Sequence, residues 1–261
     1  MSAGEEFAEP QTLEQALALL ARRDAQLAAL RSEQQAWVHA VSHDLRAPLR
    51  HVLAFNPLIA ELLQSPQPGA QELEEALGFL HTMEQSAQRM AAMFDGLLLL
   101  ARAARHALSW QAVDLAPLLQ GLKRQLESEA PGRSIVWRLP ESCPTVQADP
   151  QLLEQALRAA LSNAVKFSRR VPQASIQVGV SVTDEGGLAI AVSDNGVGFD
   201  EARADRLFGI FQRMHRESEF EGVGTGLALV RSICRRHGGE ADIHAQTGLG
   251  CELRLSWPQP R

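Results

Sequence analysis

LSNAVKFSRRVPQASIQVGVSVTDEGGLAIAVSDNGVGFD, residues 161–200, passes from a helical to an alternating apolar period and ends in glycines. At its start Asn163 and Lys166 stand three apart and so share a helix face. Ile176, Val178, Val180 and Val182 then alternate with other residues, the period of a half-buried strand. After the turn residues DEGG, Leu188, Ile190 and Val192 alternate again, which predicts a β-hairpin. The second strand runs into DNGVGFD at 194–200, whose glycines permit close approach of backbone to a ligand.

Working outward, the flanking pieces extend the same layered domain. A helix around Thr225 to His237 and the strand-like runs ADIHA and CELRLSW follow. Upstream, Asp149 and Pro150 form an N-cap with proline at the first helical position, and Leu153, Ala156, Leu157, Ala160, Leu161 and Ala164 give the ensuing helix an apolar face. Further upstream, SWQAVDL, SIVWRLP and PTVQAD read as short strands around a helix beginning near Leu115. The sum is an α+β domain of roughly 150 residues, an ordinary size for one domain.

The first hundred or so residues follow a different period. From about Thr12 to Leu63 the chain is rich in Ala, Leu, Gln, Glu and Arg, and Leu13, Leu17, Leu20, Leu27 and Leu30 make an imperfect helical stripe. SPQPGA at 65–70 interrupts that long helix with a turn. Leu73, Ala76, Leu80, Met83, Ala87, Met90, Phe94, Leu97, Ala101 and Ala104 then recur at spacings of three and four, a heptad seam. A single helical hairpin buries such a seam poorly, so two copies are expected to pair into a four-helix bundle.

Composition narrows the function. With 261 residues, 45% hydrophobic and 21% charged, the chain has room for about two globular domains. A net charge of −6 argues against a nucleic-acid binder, which needs clustered Lys and Arg. Cys143, Cys234 and Cys251 are widely spaced and form no CxxC pair, so neither a disulfide framework nor a zinc site is expected, and a reducing, cytoplasmic setting fits. No apolar run reaches the ~20 residues of a membrane helix, and the start, MSAGEEFAEP, is acidic. Any membrane-borne sensing is therefore expected to come from a separate sensor protein.

Candidate chemistry lies in both parts. In HAVSHDLRAPLR, residues 39–50, Val41 and Leu45 are one turn apart and face the seam, which puts His43 about 200° away, toward solvent. An exposed neutral imidazole is a nucleophile, and Asp44 can favour the tautomer with a free lone pair. Pro48 lacks the N–H that would bond the Asp44 carbonyl, so a kink is expected there. In the α+β part, Asn163 offers an amide oxygen suited to Mg²⁺ and Lys166 a charge suited to phosphate. The Asp194 carboxylate can accept a hydrogen bond from the exocyclic amine of adenine, where guanine presents a carbonyl. GVGTGLAL at 222–229 sets Gly222, Gly224 and Gly226 at a helix start, where free N–H groups hold phosphate; it has neither Walker nor Rossmann spacing.

SHDLRAPLR closely resembles the phosphoacceptor box of histidine kinases. NAxKF, DNGVGFD, RLFGIFQRMH and GVGTGLAL, in that order, resemble the ATP-binding domain that histidine kinases share with gyrase-type topoisomerases, chaperones and mismatch-repair ATPases. EFEGVGTGLALVRSICRRHGG is similar to the phytochrome-type branch. The likeness covers roughly residues 36–257. It implies a helical-hairpin dimerisation and phosphoacceptor domain over 36–108 and an α/β sandwich ATP-binding domain over 109–261, while residues 1–35 read by themselves as a coiled-coil-like helix. It implies His43 as phosphoacceptor with Asp44 assisting, and Arg46 and Pro48 in support. Asn163 becomes the metal-binding asparagine, Lys166 a phosphate contact and Asp194 the adenine-reading acid. Gly196 and Gly198 form one glycine box; Gly222, Gly224, Thr225, Gly226 and Leu227 form the other; Phe208 and Phe211 match the phenylalanine box. The implied activity is Mg-ATP-dependent phosphorylation of His43 within a homodimer, then transfer to the receiver-domain aspartate of a response regulator.

Ala159 departs from the pattern, standing where most histidine kinases have another asparagine and hydrolytic relatives a glutamate. Without a base there, attack by water should be slow. A silent nucleotide-binding scaffold and a simple ATPase of the same fold are the rival readings. Pro57 interrupts the first helix without a functional account.

Overall fold

The computed structural model describes residues 13–64, 69–183, 186–216 and 218–258. The acidic start, turn residues 65–68 and 184–185 and the Leu30 side chain lie outside the described residues. The chain divides into two compact units between Ala47 and Pro48.

Helix α1, Leu13–Leu63, is helical through Pro48 and Pro57. In the first unit its stripe leucines Leu13, Leu17, Leu20 and Leu27 are exposed, as is Trp37. In the second unit the remainder of α1 meets α2, Ala70–Arg105: Phe55 stacks on Phe79 with centroids 5.0 Å apart, and His51 lies 3.5 Å from the Ser86 hydroxyl. The start of α2 is closed by the Glu72 carboxylate, which accepts from the Gly69 N–H at 2.7 Å. Of the heptad seam, Ala76 is buried while Leu73, Leu80 and Phe94 stay exposed in the single chain.

Behind α2 come β1 (Gln111–Val113), α3 (Leu115–Glu129), β2 (Ile135–Arg138), β3 (Val146–Ala148), α4 (Pro150–Phe167), β4 (Ala174–Val182) and β5 (Leu188–Asp194). A 3₁₀ turn over Glu201–Phe208 precedes α5 (Gly226–Arg236), β6 (Ala241–Gln246) and β7 (Gly250–Trp257). The main sheet has the order β2-β4-β5-β7-β6, with β2 parallel to β4 and the other pairs antiparallel; β1 and β3 make a separate antiparallel pair. Alternation explains the layering. Ile176, Val178, Ile190, Val192, Leu253 and Leu255 are buried on one sheet face. They join one core with α3, α4 and α5 through Leu119, Leu122, Leu157, Leu161, Val230 and Ile233. Val182, at the last position of β4 beside the hairpin turn, is exposed.

Helix ends are set locally. Asp114 caps α3, its Oδ1 accepting from the Ala116 N–H at 3.0 Å. Asp114→Ala is therefore expected to lower stability by about 1 kcal/mol, read as a shift of the urea midpoint at unchanged slope.

One face of α2 packs on α5. Met93, Gly96 and Ala103 are buried, and a Cβ on Gly96 would fall 2.6 Å from Cγ2 of Thr225. That approach accounts for a glycine inside a helix, where it is intrinsically unfavourable. The domain boundary expected between 108 and 109 consequently falls inside the second unit.

Candidate functional site

A cavity opens between α4, the end of β5 and the start of α5. The two helices run antiparallel, with the end of α4 beside the start of α5: a Cβ on Gly226 would come within 3.5 Å of Asn163 Nδ2 and 3.9 Å of its Oδ1. Asn163, Lys166, Asp194, Gly198, Gly222, Gly224, Thr225, Gly226 and Leu227 all line this cavity.

Helix α4 owes its placement to Asp149 and Pro150. The Asp149 carboxylate accepts from the N–H groups of Gln151 and Leu152, and proline at the first helical position loses no bond. With the Ala160–Ala164 face buried in the core, Asn163 and Lys166 are left to look into the cavity. Burial lowers the Lys166 ammonium to about 8, helped by repulsion from Arg213 and Arg169 and opposed by Glu221. Its Nζ lies 4.4 Å from the centre of the Phe167 ring.

Asp194 ends β5. Burial raises its carboxyl to about 6, while Oδ1 accepts from the Gly196 N–H at 2.8 Å, which favours the charged form. The turn that follows is forced toward glycine. Gly198 has φ +57, and a Cβ there would fall 2.0 Å from the Gln246 carbonyl oxygen. Gly196 does not line the cavity; its part is the bond to Asp194.

Phe208 and Phe211 are also outside the lining. Both are buried, Phe208 under the Arg231 guanidinium at 3.7 Å. Their sequence spacing is not a helical one in the structure, because Phe211 follows the 3₁₀ turn with φ +60 and donates its N–H to Gly224 O at 2.9 Å. That bond ties the segment after Phe208 to the second glycine box. Ala159 packs against the core, and Ala160 is its neighbour in the lining.

Several lining residues were not singled out from sequence: Phe167, Arg213, His215, Phe220 and Glu221. Phe167, His215 and Phe220 form a cluster with centroids 5.1–5.6 Å apart. Arg169 donates to the Glu221 carboxylate and the Glu219 carbonyl, and both Arg169 and Arg170 lie over the Phe220 ring. The available signals were Phe167 beside Lys166 and a phenylalanine set between glutamates in EFEG.

In the first unit, the His43 side chain is 73% exposed, and its Nδ1 lies 2.9 Å from Oδ1 of Asp44. An ionised carboxylate only accepts, so in the neutral imidazole this contact selects the tautomer with the proton on Nδ1 and leaves the Nε2 lone pair free. His39 is exposed along the same groove. His51 faces Phe55 and the Ser86 hydroxyl.

Residues 148–261 match the family model of the histidine kinase-, DNA gyrase B- and HSP90-like ATPase, and residues 33–105 match that of the His Kinase A phospho-acceptor domain. An ATPase of that type behind a phospho-acceptor helix pair defines the catalytic core of a histidine kinase. Curated relatives include sensor histidine kinases of several kinds, a phytochrome among them. The methanogenesis regulatory histidine kinase FilI of Methanothrix harundinacea is 29% identical over 92% of this chain and 26% of its own length. Cyanobacterial phytochrome A of Nostoc is 30% identical over 87% and 29%, and the sensor protein CutS of Streptomyces coelicolor 31% over 86% and 53%. The chain belongs to the sensor histidine kinases, and it spans about a quarter to a half of the length of these relatives. Among solved structures, full-length ShkA in complex with AMPPNP is similar, with a TM-score of 0.55 and 26% identity over 87% of this chain and 45% of that one. Acinetobacter baumannii AdeS shares the fold, with a TM-score of 0.54 and 18% identity over 84% and 98%.

Proposed function

We propose that this chain phosphorylates its own His43 from ATP and passes the phosphoryl group to the receiver-domain aspartate of a response regulator. The observation that carries the reading is His43 itself, exposed, with Nδ1 engaged by Asp44 and Nε2 free to attack. In this scheme Nε2 bonds to the γ-phosphorus as the bond to the β–γ bridging oxygen breaks, and ADP leaves. Catalysis is then mainly positioning and charge neutralisation. Asp194 reads the adenine amine. Lys166 and the N–H groups at Thr225 and Gly226 receive phosphate oxygens.

Among the described residues no group of three or more His, Cys, Asp or Glu could hold a metal ion. The Asn163 amide, facing the first turn of α5, fits Mg²⁺ as a single protein oxygen that leaves other positions to phosphate and water. Bound there, the ion would neutralise phosphate charge.

Homodimerisation is supported by the apolar side chains that one chain leaves exposed on its hairpin, among them Leu53, Leu73, Leu77, Leu80, Phe94 and Leu98. A receiver domain is the expected second partner. Three free, half-buried or buried thiols suit the cytoplasm. Among the described residues no helix is long and apolar enough to cross a membrane. Incubation with γ-labelled ATP tests the whole reading. Acid-labile, alkali-stable label on the protein supports it, phosphate release alone points to an ATPase, and neither result leaves a scaffold, the reading that Ala159 favours.

Ala47, one turn after His43, bears on the reverse signal. In the wider family a threonine or asparagine here is associated with orienting water against the regulator's phosphoaspartate, and a methyl group cannot do so. The chain is therefore expected to be a poor phosphatase. Phosphate release from a phosphorylated receiver mixed with His43→Gln protein and ADP should match the receiver alone, and adding Ala47→Thr should accelerate it. Strong acceleration without Ala47→Thr would refute the idea.

A further inference from the structure

The segment joining α2 to the ATPase layers, His106–Trp110, is fastened at its root. The carbonyls of Ala103 and His106, which end α2, both accept from the guanidinium of Arg236 in the last turn of α5. On the other side, His106 Nε2 and the Ser109 N–H both reach Oδ2 of Asp149, at 3.0 and 2.9 Å. The same carboxylate caps α4 through Oδ1. The Asp149 N–H donates to His237 Nε2 at 3.1 Å, and His237 Nδ1–H donates to the Ile233 carbonyl at 2.8 Å. His237 is thereby held neutral, in keeping with the lowering that burial imposes on it. Trp110 packs edge-on against His237, which packs on Trp257.

An N-cap needs one carboxylate oxygen, so the second oxygen of Asp149, in a side chain only 1% exposed, is there for the connector. Burial alone would raise this acid; the N–H donors of Ser109 and Leu152 and the His106 ring hold it below its ordinary range. The cluster grips the N-terminus of α4 and the C-terminus of α5. Those are the ends remote from the cavity, which is built from Asn163 and Lys166 at one helix's finish and Thr225 and Gly226 at the other's start. None of Asp149, His106, Arg236 and His237 lines the cavity.

We propose that His106, Asp149 and Arg236 are positioning residues for phosphoryl transfer: they clamp the connector so that α2 and the two cavity helices keep one orientation, without touching nucleotide. Accordingly they govern the transfer step and leave ATP affinity alone. The proposal rests on the kinase reading.

The test uses the full chain and three measurements: ATP dissociation constant, single-turnover labelling rate, and amide hydrogen exchange over residues 106–113. For His106→Ala and Arg236→Ala, labelling is expected to slow by about tenfold or more, as misplacement of reacting groups does. ATP affinity should hold within about twofold, the signature of lost transfer rather than lost binding. Exchange at Ser109 should rise. His106→Gln, whose amide nitrogen can still donate to Asp149, should label and exchange like the parent. Wild-type labelling rates in the alanine variants, or unchanged exchange, would overturn the proposal. So would loss of ATP affinity in step with labelling, since that marks general damage to the fold. If the parent chain takes up no label, the kinase reading fails by itself, and exchange in the variants then decides for or against the clamp.

Discussion

His43→Gln is expected to abolish acid-labile labelling from ATP and to leave the ATP dissociation constant unchanged. The expectation follows from chemistry and placement together. Glutamine keeps polarity and approximate length but has no lone-pair nitrogen to form the phosphoramidate bond. The nucleotide cavity is lined from Ala160 onward, by residues of the second unit alone. His39→Gln and His51→Gln serve as controls and should label normally. His39 shares the exposed groove but lacks the adjacent acid; His51 is turned toward Phe55 and Ser86. Acid-labile label on the His43→Gln protein would move the acceptor elsewhere.

Asp194→Asn should weaken ATP binding by roughly 1–3 kcal/mol, the cost of a lost charge-assisted hydrogen bond in a partly buried site. At about 1.4 kcal/mol per decade that is roughly a 5- to 150-fold rise in dissociation constant. GTP should bind poorly to both forms, and calorimetric titration reads all four combinations. The parent protein should also lose ATP affinity as pH falls through about 6, where Asp194 takes a proton and ceases to be a pure acceptor. Folding stability moves the other way. A carboxyl raised from 3.8 to about 6 contributes stability that is fully present below 3.8 and lost as pH rises through about 6. At neutral pH the asparagine variant removes a buried charge, so it should be no less stable than the parent while binding ATP worse. An unchanged dissociation constant would remove Asp194 from the pocket.

Much of the fold was legible because its signals are local. The Asp149–Pro150 cap, the alternation through Ile176 and Val192, and the three-and-four spacing along α2 each depend on near neighbours in sequence. The cavity was legible in its motifs for the same reason. Phe220 and Arg213 were not, because they enter the cavity through a segment whose course is set by distant partners, Arg169, Arg170 and Gly224. Phe208 and Phe211 show the limit most sharply. They match the phenylalanine box by sequence, but both are buried, Phe208 as the last residue of the 3₁₀ turn and Phe211 beyond it at φ +60. The grip on the connector was equally hidden, since His106, Asp149 and Arg236 are each unremarkable in their own stretch of sequence.

Thr225 belongs to two surfaces at once. Its methyl group and hydroxyl abut the bare backbone at Gly96, and the same residue lines the cavity at the first turn of α5. Such sharing gives the pocket and the flank of α2 one side chain through which each could act on the other. If a nucleotide pressing on Thr225 loosens the seat at Gly96 by some factor, then strengthening that seat must weaken the nucleotide by the same factor, as closure of a thermodynamic cycle requires. A methyl added at position 96 would crowd Thr225 and loosen that seat, so under this condition it would tighten ATP binding from a helix that holds no ATP.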